Sequence, residues 1–438
     1  MLSTVDIDND IIEYSKTADF AIDYKKYNDE ITEKYNKLSA KPLPSLFHPI
    51  ILPKATLFEL KKQSEQMERI LVKILKLYLK ETEIQDFFDF NETLKDWINI
   101  DPGYEPSIPF SRYDGFWDGE TYRFCEFNTD GTSGMDEINI MDEIYLKTKI
   151  GHNLKNKYNI KSFDMRNSTL QTLLKYYKMF GKNDKPNIAI VDFTESATGG
   201  EFESLKNYII KSGYQCEICD IRKLELKKDG LFHNNYKIDL IYRRAVTDEM
   251  LKFKDQINDF IKAYKKHAVC VVGPICSQIV HSKKIFTFLS NDMCRKYFTD
   301  EEMSFIENHL PYTKKLVNDP DIIKELTDDK NEFFLKPHNS YGCKGVISGS
   351  ETSIEDWSRN INEILDSEND SYLIQKKIEI PKITLISDPD GNLNTYKINL
   401  GPYIFAGELI GFYGRVSKHD IITTHNEGLI LPLFYLSK

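Results

Sequence analysis

A chain of 438 residues with 41% hydrophobic and 12% aromatic side chains can bury a large core, and its composition is that of a globular protein of two or three domains. The formal net charge of −10 argues against a broad nucleic-acid surface, so any anion must be met by local lysines and arginines. The first residues, MLSTVDIDNDIIEY, carry acids where an export leader has a basic start, and the longest mostly apolar run, Ala268 to Val280, is too short for a bilayer span and is broken by Gly273-Pro274.

Taken in chain order, residues 1 to about 50 carry short helical patterns and a proline-bearing connector, LPSLFHPIILP. From Thr56 a long helix is predicted: Thr56 and Glu59 have capping-box spacing, and Met67, Ile70, Leu71, Ile74, Leu75, Tyr78 and Leu79 form a core-facing stripe. The segments RYDGFW and TYRFCEFN, joined by Asp118-Gly119, read as a β-hairpin. A short helix follows near Met135. From Pro186 the period changes: strands over residues 187–193, 214–219 and 238–242, with a helix over 201–212, predict a small parallel sheet. The turn TESATGGE after the first strand lacks the G-x-G-x-x-G order and reads as a packing turn. Arg243 and Arg244 end the third strand, where open α/β sheets bind ligands; a surface arginine pair is the equal alternative.

Seven cysteines, an odd number, predict reduced thiols and a cytoplasmic protein. Cys216-x-x-Cys219 is the one close pair, and with no second pair at zinc-finger spacing it reads as strand rather than as a metal or redox motif.

Four polar residues of the hairpin carry chemistry. Residues two apart on a strand share a face, so Arg112 and Asp114 on one strand, and Glu126 and Asn128 on the next, would address a common space. Hard oxygen ligands of this kind suit Mg²⁺ shared with nucleotide phosphates, and the arginine suits an anion. A solvated polar face with Asn128-Thr129-Asp130-Gly131 as an ordinary turn is the plainer reading. The last third adds Lys283, which opens a helix with Ile285, Phe286 and Leu289 inward. It also adds a strand ending at Lys336-Pro337, then a glycine-bearing loop with Gly342, Lys344 and Gly345 whose amides could approach phosphate oxygens. SYLIQKKIEI reads as a strand able to bond a base, and GELIGFYGRVS places Arg415 after a glycine turn.

This combination resembles the glutathionylspermidine-synthase-like, circularly permuted branch of the ATP-grasp ligases. The resemblance rests on R-x-D followed by E-x-N, then a strand lysine in LKP with a glycine loop, Y-L-I-Q-K, and a late G-x-x-x-x-G-R; it spans residues 105 to 435. Order is informative, because Glu126 and Asn128 precede Lys283 and Lys336. The resemblance implies an α/β (α+β) ATP-grasp fold with a Rossmann-like parallel-sheet domain. Its divisions would be an N-terminal helical segment with the hairpin over 1–150, the Rossmann-like domain over 151–272 and the nucleotide-binding region over 273–438. It implies Asp114, Glu126 and Asn128 as Mg²⁺ ligands, Arg112 as a clamp on the transferred phosphoryl group and the acyl-phosphate, and Arg415 as stabilising the acyl-phosphate or intermediate. Lys283 and Lys336, with the loop carrying Gly342, Lys344 and Gly345, would hold ATP phosphates, and Gln375 and Lys376 the adenine edge. Lys284 adjoins Lys283, so either could reach the phosphate. The implied activity joins a small-molecule or peptide carboxylate to an amine, with no nucleic acid and no membrane as partner. A phosphotransferase acting on a hydroxyl and a non-catalytic nucleotide-binding protein are the alternatives.

Overall fold

The computed structural model describes residues 2, 4–38, 42, 44–196, 199–338, 343–367, 372–424 and 426–437. Its centre is an antiparallel sheet in which the hairpin strands Phe110–Trp117 and Tyr122–Asn128 join strands from the far end of the chain. The first hairpin strand pairs with Leu393–Phe405, which pairs in turn with Glu408–Ser417, while Lys382–Ile386 and Leu429–Ile430 extend the edges. The long helix Lys54–Tyr78 covers one face. Its Met67, Leu71 and Ile74 share a core with Tyr113, Phe124, Leu400 and Phe412. Pro53, in extended backbone, and not Thr56 is its N-cap, so the capping box does not form and the helix starts three residues before the position that box implies.

Tyr113 donates a hydrogen bond to Glu68 beneath the sheet. Burial pushes Glu68 up to about 8, with the Tyr113 hydroxyl opposing. A raised folded pKa gives stability that is full below the unfolded pKa of ~4.3 and is lost as pH rises towards 8. Glu68→Gln, which keeps an acceptor for Tyr113 and cannot ionise, is therefore expected to be more stable than the parent by roughly 1–3 kcal/mol at pH 7–8 and equal to it near pH 4. Denaturant unfolding at both pH values reads the difference.

The parallel sheet forms as the alternating pattern predicts, with a fourth strand. Its order is Cys270–Val272, Leu240–Arg243, Asn187–Asp192, Gln215–Asp220, all neighbours parallel, with helix Gly199–Lys211 as one crossover. The apolar run at Ala268 to Val280 supplies that fourth strand before Gly273-Pro274 turns the chain. A smaller antiparallel sheet, Thr313–Lys315, Tyr372–Lys376, Phe333–Pro337 and Ile347–Ser348, packs under helix Ile354–Asp366 around Trp357 and Leu335. The N-terminal segment holds two helices, Val5–Ser15 and Ala18–Lys37, the second of 20 residues. Part of the connector is strand: Ile50–Leu52 lies parallel to Leu433–Leu436. Among the described residues no helix is long and apolar enough to cross a membrane. All seven cysteines are free thiols.

Candidate functional site

Alternation along the hairpin decides what faces what. Tyr113 and Phe127 point to the core side, so Arg112 and Asp114 on one strand and Glu126 and Asn128 on the other share the opposite face. Arg112 lies across from Asn128, and Asp114 across from Glu126. The register shifts after Asp114, so that Gly115 pairs with Phe124 and Cys125 becomes an extra residue. The bulge brings Cys125 to line the same cleft as Glu126.

The face is not solvated, which removes the plainer reading of the hairpin. Asp114 is 4% exposed and lies between two guanidiniums, Arg112 Nε at 3.0 Å from Oδ1 and Arg415 Nη2 at 3.0 Å from Oδ2. Asn128 donates to the same Oδ2 at 3.1 Å. Burial alone would raise the Asp114 pKa, but Arg112 and Arg415 outweigh it and hold the carboxyl at about 2. Glu126 is also held below the usual range: burial acts upward most strongly of any one cause, but the charge and hydrogen bond of Lys283, 2.8 Å from Oε1, and the charge of Lys336 together outweigh it. Both carboxylates are thus ionised, the state a metal ligand needs. With the Asn128 carboxamide they make an all-oxygen donor set that fits Mg²⁺ better than a softer metal.

Support for this cluster comes from strands nearly 300 positions away in sequence. Gly401 sits where an added Cβ would meet Asp114 Oδ1 at 2.6 Å, so only glycine lets the carboxylate lie there. Asn399 donates to the Gly115 carbonyl at 3.0 Å and accepts from Arg415 Nη2 at 3.0 Å. The ring of Tyr413 lies 4.9 Å from Arg112 Cζ and 5.3 Å from Arg415 Cζ. Arg415 is in mid-strand and not after a turn, because Gly411 and Gly414 are themselves strand residues. Its Nε is buried with no hydrogen-bond partner, a donor left over in a cationic pocket.

A cleft of about 670 Å³, partly open to solvent, gathers Asp114, Glu126, Lys283, Lys336, Gln375, Lys376 and Arg415. Its remaining wall includes Phe116, Phe334, Val346, Ile378 and Ile422, an apolar surface on which a planar base could lie. Lys336 Nζ donates to Gln375 Oε1 at 2.6 Å and to the Cys125 carbonyl at 3.3 Å. Of the adjoining lysines, Lys283 lines the cleft, whereas Lys284 Nζ donates to the Phe88 carbonyl at 2.7 Å. Lys344 and Gly345 line neither this cleft nor its neighbour. Gly345 has φ +72°, and a Cβ there would come within 2.9 Å of both Pro337 and the Tyr372 hydroxyl. Gly342 lies outside the described residues.

Arg112 and Asn128 line a second cavity, open to solvent, together with Asp192 and Arg244 at the C-terminal ends of the parallel strands and Glu249 on helix Thr247–Lys252. Burial pushes Asp192 up to about 6 against the opposing charge of Arg244. The arginine pair is not a surface feature: Arg243 and Arg244 are 2% and 4% exposed, the first paired with Asp130 and the second with Glu201. Asp192 and Asn399 were not singled out from the sequence. Each is one polar residue in an apolar strand, and only the strand-end position of Asp192 hinted at a role.

No family model matches the chain, and no curated protein matches it in sequence. Its structure is similar to that of an apo glutathione synthetase-like effector, GSS30, from Globodera pallida, with a TM-score of 0.60 and 12% identity over 94% of this chain and 96% of that one. That likeness shows the fold, a mixed α/β architecture of parallel and antiparallel sheets in keeping with the ATP-grasp fold. Two structures of the ATP-grasp ligase PsnB also align. The complex with a phosphomimetic variant of the minimal precursor, Mg and ADP covers 59% of this chain and 90% of that one at 11% identity and TM-score 0.32. The complex with the minimal precursor covers 57% and 89% at 10% identity and TM-score 0.31.

Proposed function

We propose that the chain is an ATP-dependent carboxylate–amine ligase of the glutathionylspermidine-synthase-like, circularly permuted ATP-grasp kind, forming an amide through an acyl-phosphate. The observation that carries this reading is the convergence on one cleft of two ionised carboxylates, Asp114 and Glu126, with the cations Lys283, Lys336 and Arg415. On this reading residues 1–150 and 273–438 together build the nucleotide site, and 151–272 form the Rossmann-like domain beside it.

Asp114, Glu126 and Asn128 would hold Mg²⁺, which when bound offsets charge on the phosphoryl oxygens. Lys283 and Lys336, which line the cleft, would hold the ATP phosphates, and Gln375 and Lys376, which line it beside its apolar wall, would meet the adenine. Arg112 and Arg415 flank Asp114 and would stabilise the phosphoryl group as it moves to the substrate carboxylate. Arg112 stands between the two cavities, since it lines the second and bonds Asp114 of the first. The carboxylate and amine would therefore enter from the second cavity. A second reading stands on Asp192: a carboxyl near 6 facing that cavity could take the proton of a hydroxyl, making the protein a phosphotransferase.

Incubation with ATP, Mg²⁺ and pooled acids, small peptides and amines separates the two. ADP release with a product weighing the sum of acid and amine less water supports the ligase, and a phosphorylated product overturns it. Lys336→Met keeps the aliphatic length and deletes the charge, so ATP affinity is expected to fall by about 1.5–3 kcal/mol. Calorimetric titration showing unchanged ATP binding would leave Lys336 as the partner of Gln375 and nothing more.

A further inference from the structure

Away from both cavities, the outer edge of the parallel sheet carries Glu217 and Cys219, two apart on strand Gln215–Asp220 and so on one face. A small antiparallel sheet, Leu224–Lys227, Gly230–His233 and Tyr236–Ile238, folds over that face, and its Leu224, Leu231 and Ile238 share a core with Cys219. At the rim of this contact His233 reaches back, its Nδ1 3.2 Å from Glu217 Oε2. The carboxylate oxygen, imidazole nitrogen and thiol sulfur all lie within 4.8 Å of one another.

We propose that Glu217, Cys219 and His233 bind one borderline-soft divalent transition ion, of which Zn²⁺ is the type, as a clip between the parallel sheet and the small sheet. A tetrahedral ion with nitrogen and oxygen at about 2.0–2.2 Å holds those two ligands about 3.3 Å apart, close to the 3.2 Å found here. The sulfur needs about an ångström of side-chain movement to complete its side of the tetrahedron. Mixed sulfur, nitrogen and oxygen ligation selects against Mg²⁺ and Ca²⁺, so this ion would be distinct from that of the hairpin. The thiol is buried and gives its proton to solvent on binding, while Glu217 and His233, 40% and 17% exposed, leave the fourth position to water. Cys-x-x-Cys read as sequence hides this set, because Cys216 faces the other way and the third ligand comes from a neighbouring hairpin.

The test uses the full chain, stripped with chelator and titrated with Co²⁺ in excess Mg²⁺ to keep Co²⁺ from the oxygen ligands of the hairpin. One Co²⁺ per chain with a near-ultraviolet thiolate-to-cobalt band is expected, competed away by Zn²⁺. The band should vanish in Cys219→Ser and persist in Cys125→Ser, the thiol beside the hairpin carboxylates. If Cys219→Ser fails to fold, His233→Gln at the more open rim serves, with Co²⁺ affinity expected to drop at least about tenfold. A band lost in Cys125→Ser instead, unchanged affinity in His233→Gln, or no thiolate band at saturating Co²⁺ overturns the proposal.

Discussion

Glu126→Ala is expected to reduce ATP turnover by about a thousandfold or more, the scale seen when one preorganised contact to developing charge is lost, while the protein stays folded. The side chain lies on the cleft face of its strand, opposite the core face occupied by Phe127, so its removal opens no apolar cavity. What disappears is one carboxylate, a ligand of Mg²⁺ on the proposed reading, and the counter-charge of Lys283. Glu126→Gln keeps the volume and should be nearly as inactive, which separates charge from shape. Turnover close to that of the parent in either variant would remove the hairpin from the chemistry, whatever else binds in the cleft.

The second large effect is on stability. Asp130 and Arg243 form an ion pair with side chains 1% and 0% exposed, Oδ1 to Nη2 2.6 Å. Asp130 also accepts from the Thr247 backbone at 2.6 Å, and Arg243 donates to the Ala245 carbonyl at 2.6 Å. The pair ties the turn after Asn128 to the ends of the parallel strands. Asp130→Ala leaves a guanidinium buried without its counter-ion and is expected to cost about 3–5 kcal/mol by denaturant unfolding. Adding Arg243→Met to the same chain should recover part of that loss, since both charges are then gone. Burial raises the Asp130 pKa, but Arg243, His281 and the Thr247 backbone N–H together outweigh it and hold it below the ordinary value. Its contribution is therefore full above the unfolded value of ~3.9 and is lost as pH falls below it, so the cost of Asp130→Ala should shrink in acid. A cost under about 1 kcal/mol at pH 7 would mean that the turn is held by other contacts.

Local periodicity made the hairpin legible, because Arg112, Asp114, Glu126 and Asn128 obey an alternation that a sheet imposes on any strand. The parallel sheet was legible for the same reason, its strands being short apolar runs separated by helical spacing. The support of Asp114 was not. Gly401 and Asn399 act through pairing between residues 112–115 and 400–403, a contact that leaves no local pattern. The bulge at Cys125 was missed because an extra residue in one strand is set by its partner. Arg243 and Arg244 show the limit most plainly: an arginine at a strand end reads identically whether it meets water or a buried carboxylate, and here both meet carboxylates. Lys283 and Lys284 could be told apart only by where each ammonium ends, at Glu126 or at the Phe88 carbonyl.

The central claim is that ATP activates a carboxylate, and oxygen tracing tests it most directly. Pooled acids and peptides labelled with ¹⁸O in their carboxyl groups are incubated with the protein, ATP, Mg²⁺ and pooled amines, and the released phosphate is weighed. An acyl-phosphate route must carry one carboxylate oxygen into phosphate when the amine displaces it, so phosphate bearing a single ¹⁸O is the expected result. Unlabelled phosphate, or a phosphorylated product with the label wholly retained in the organic acid, would contradict the ligase account and leave Asp192 as the base of a phosphotransferase.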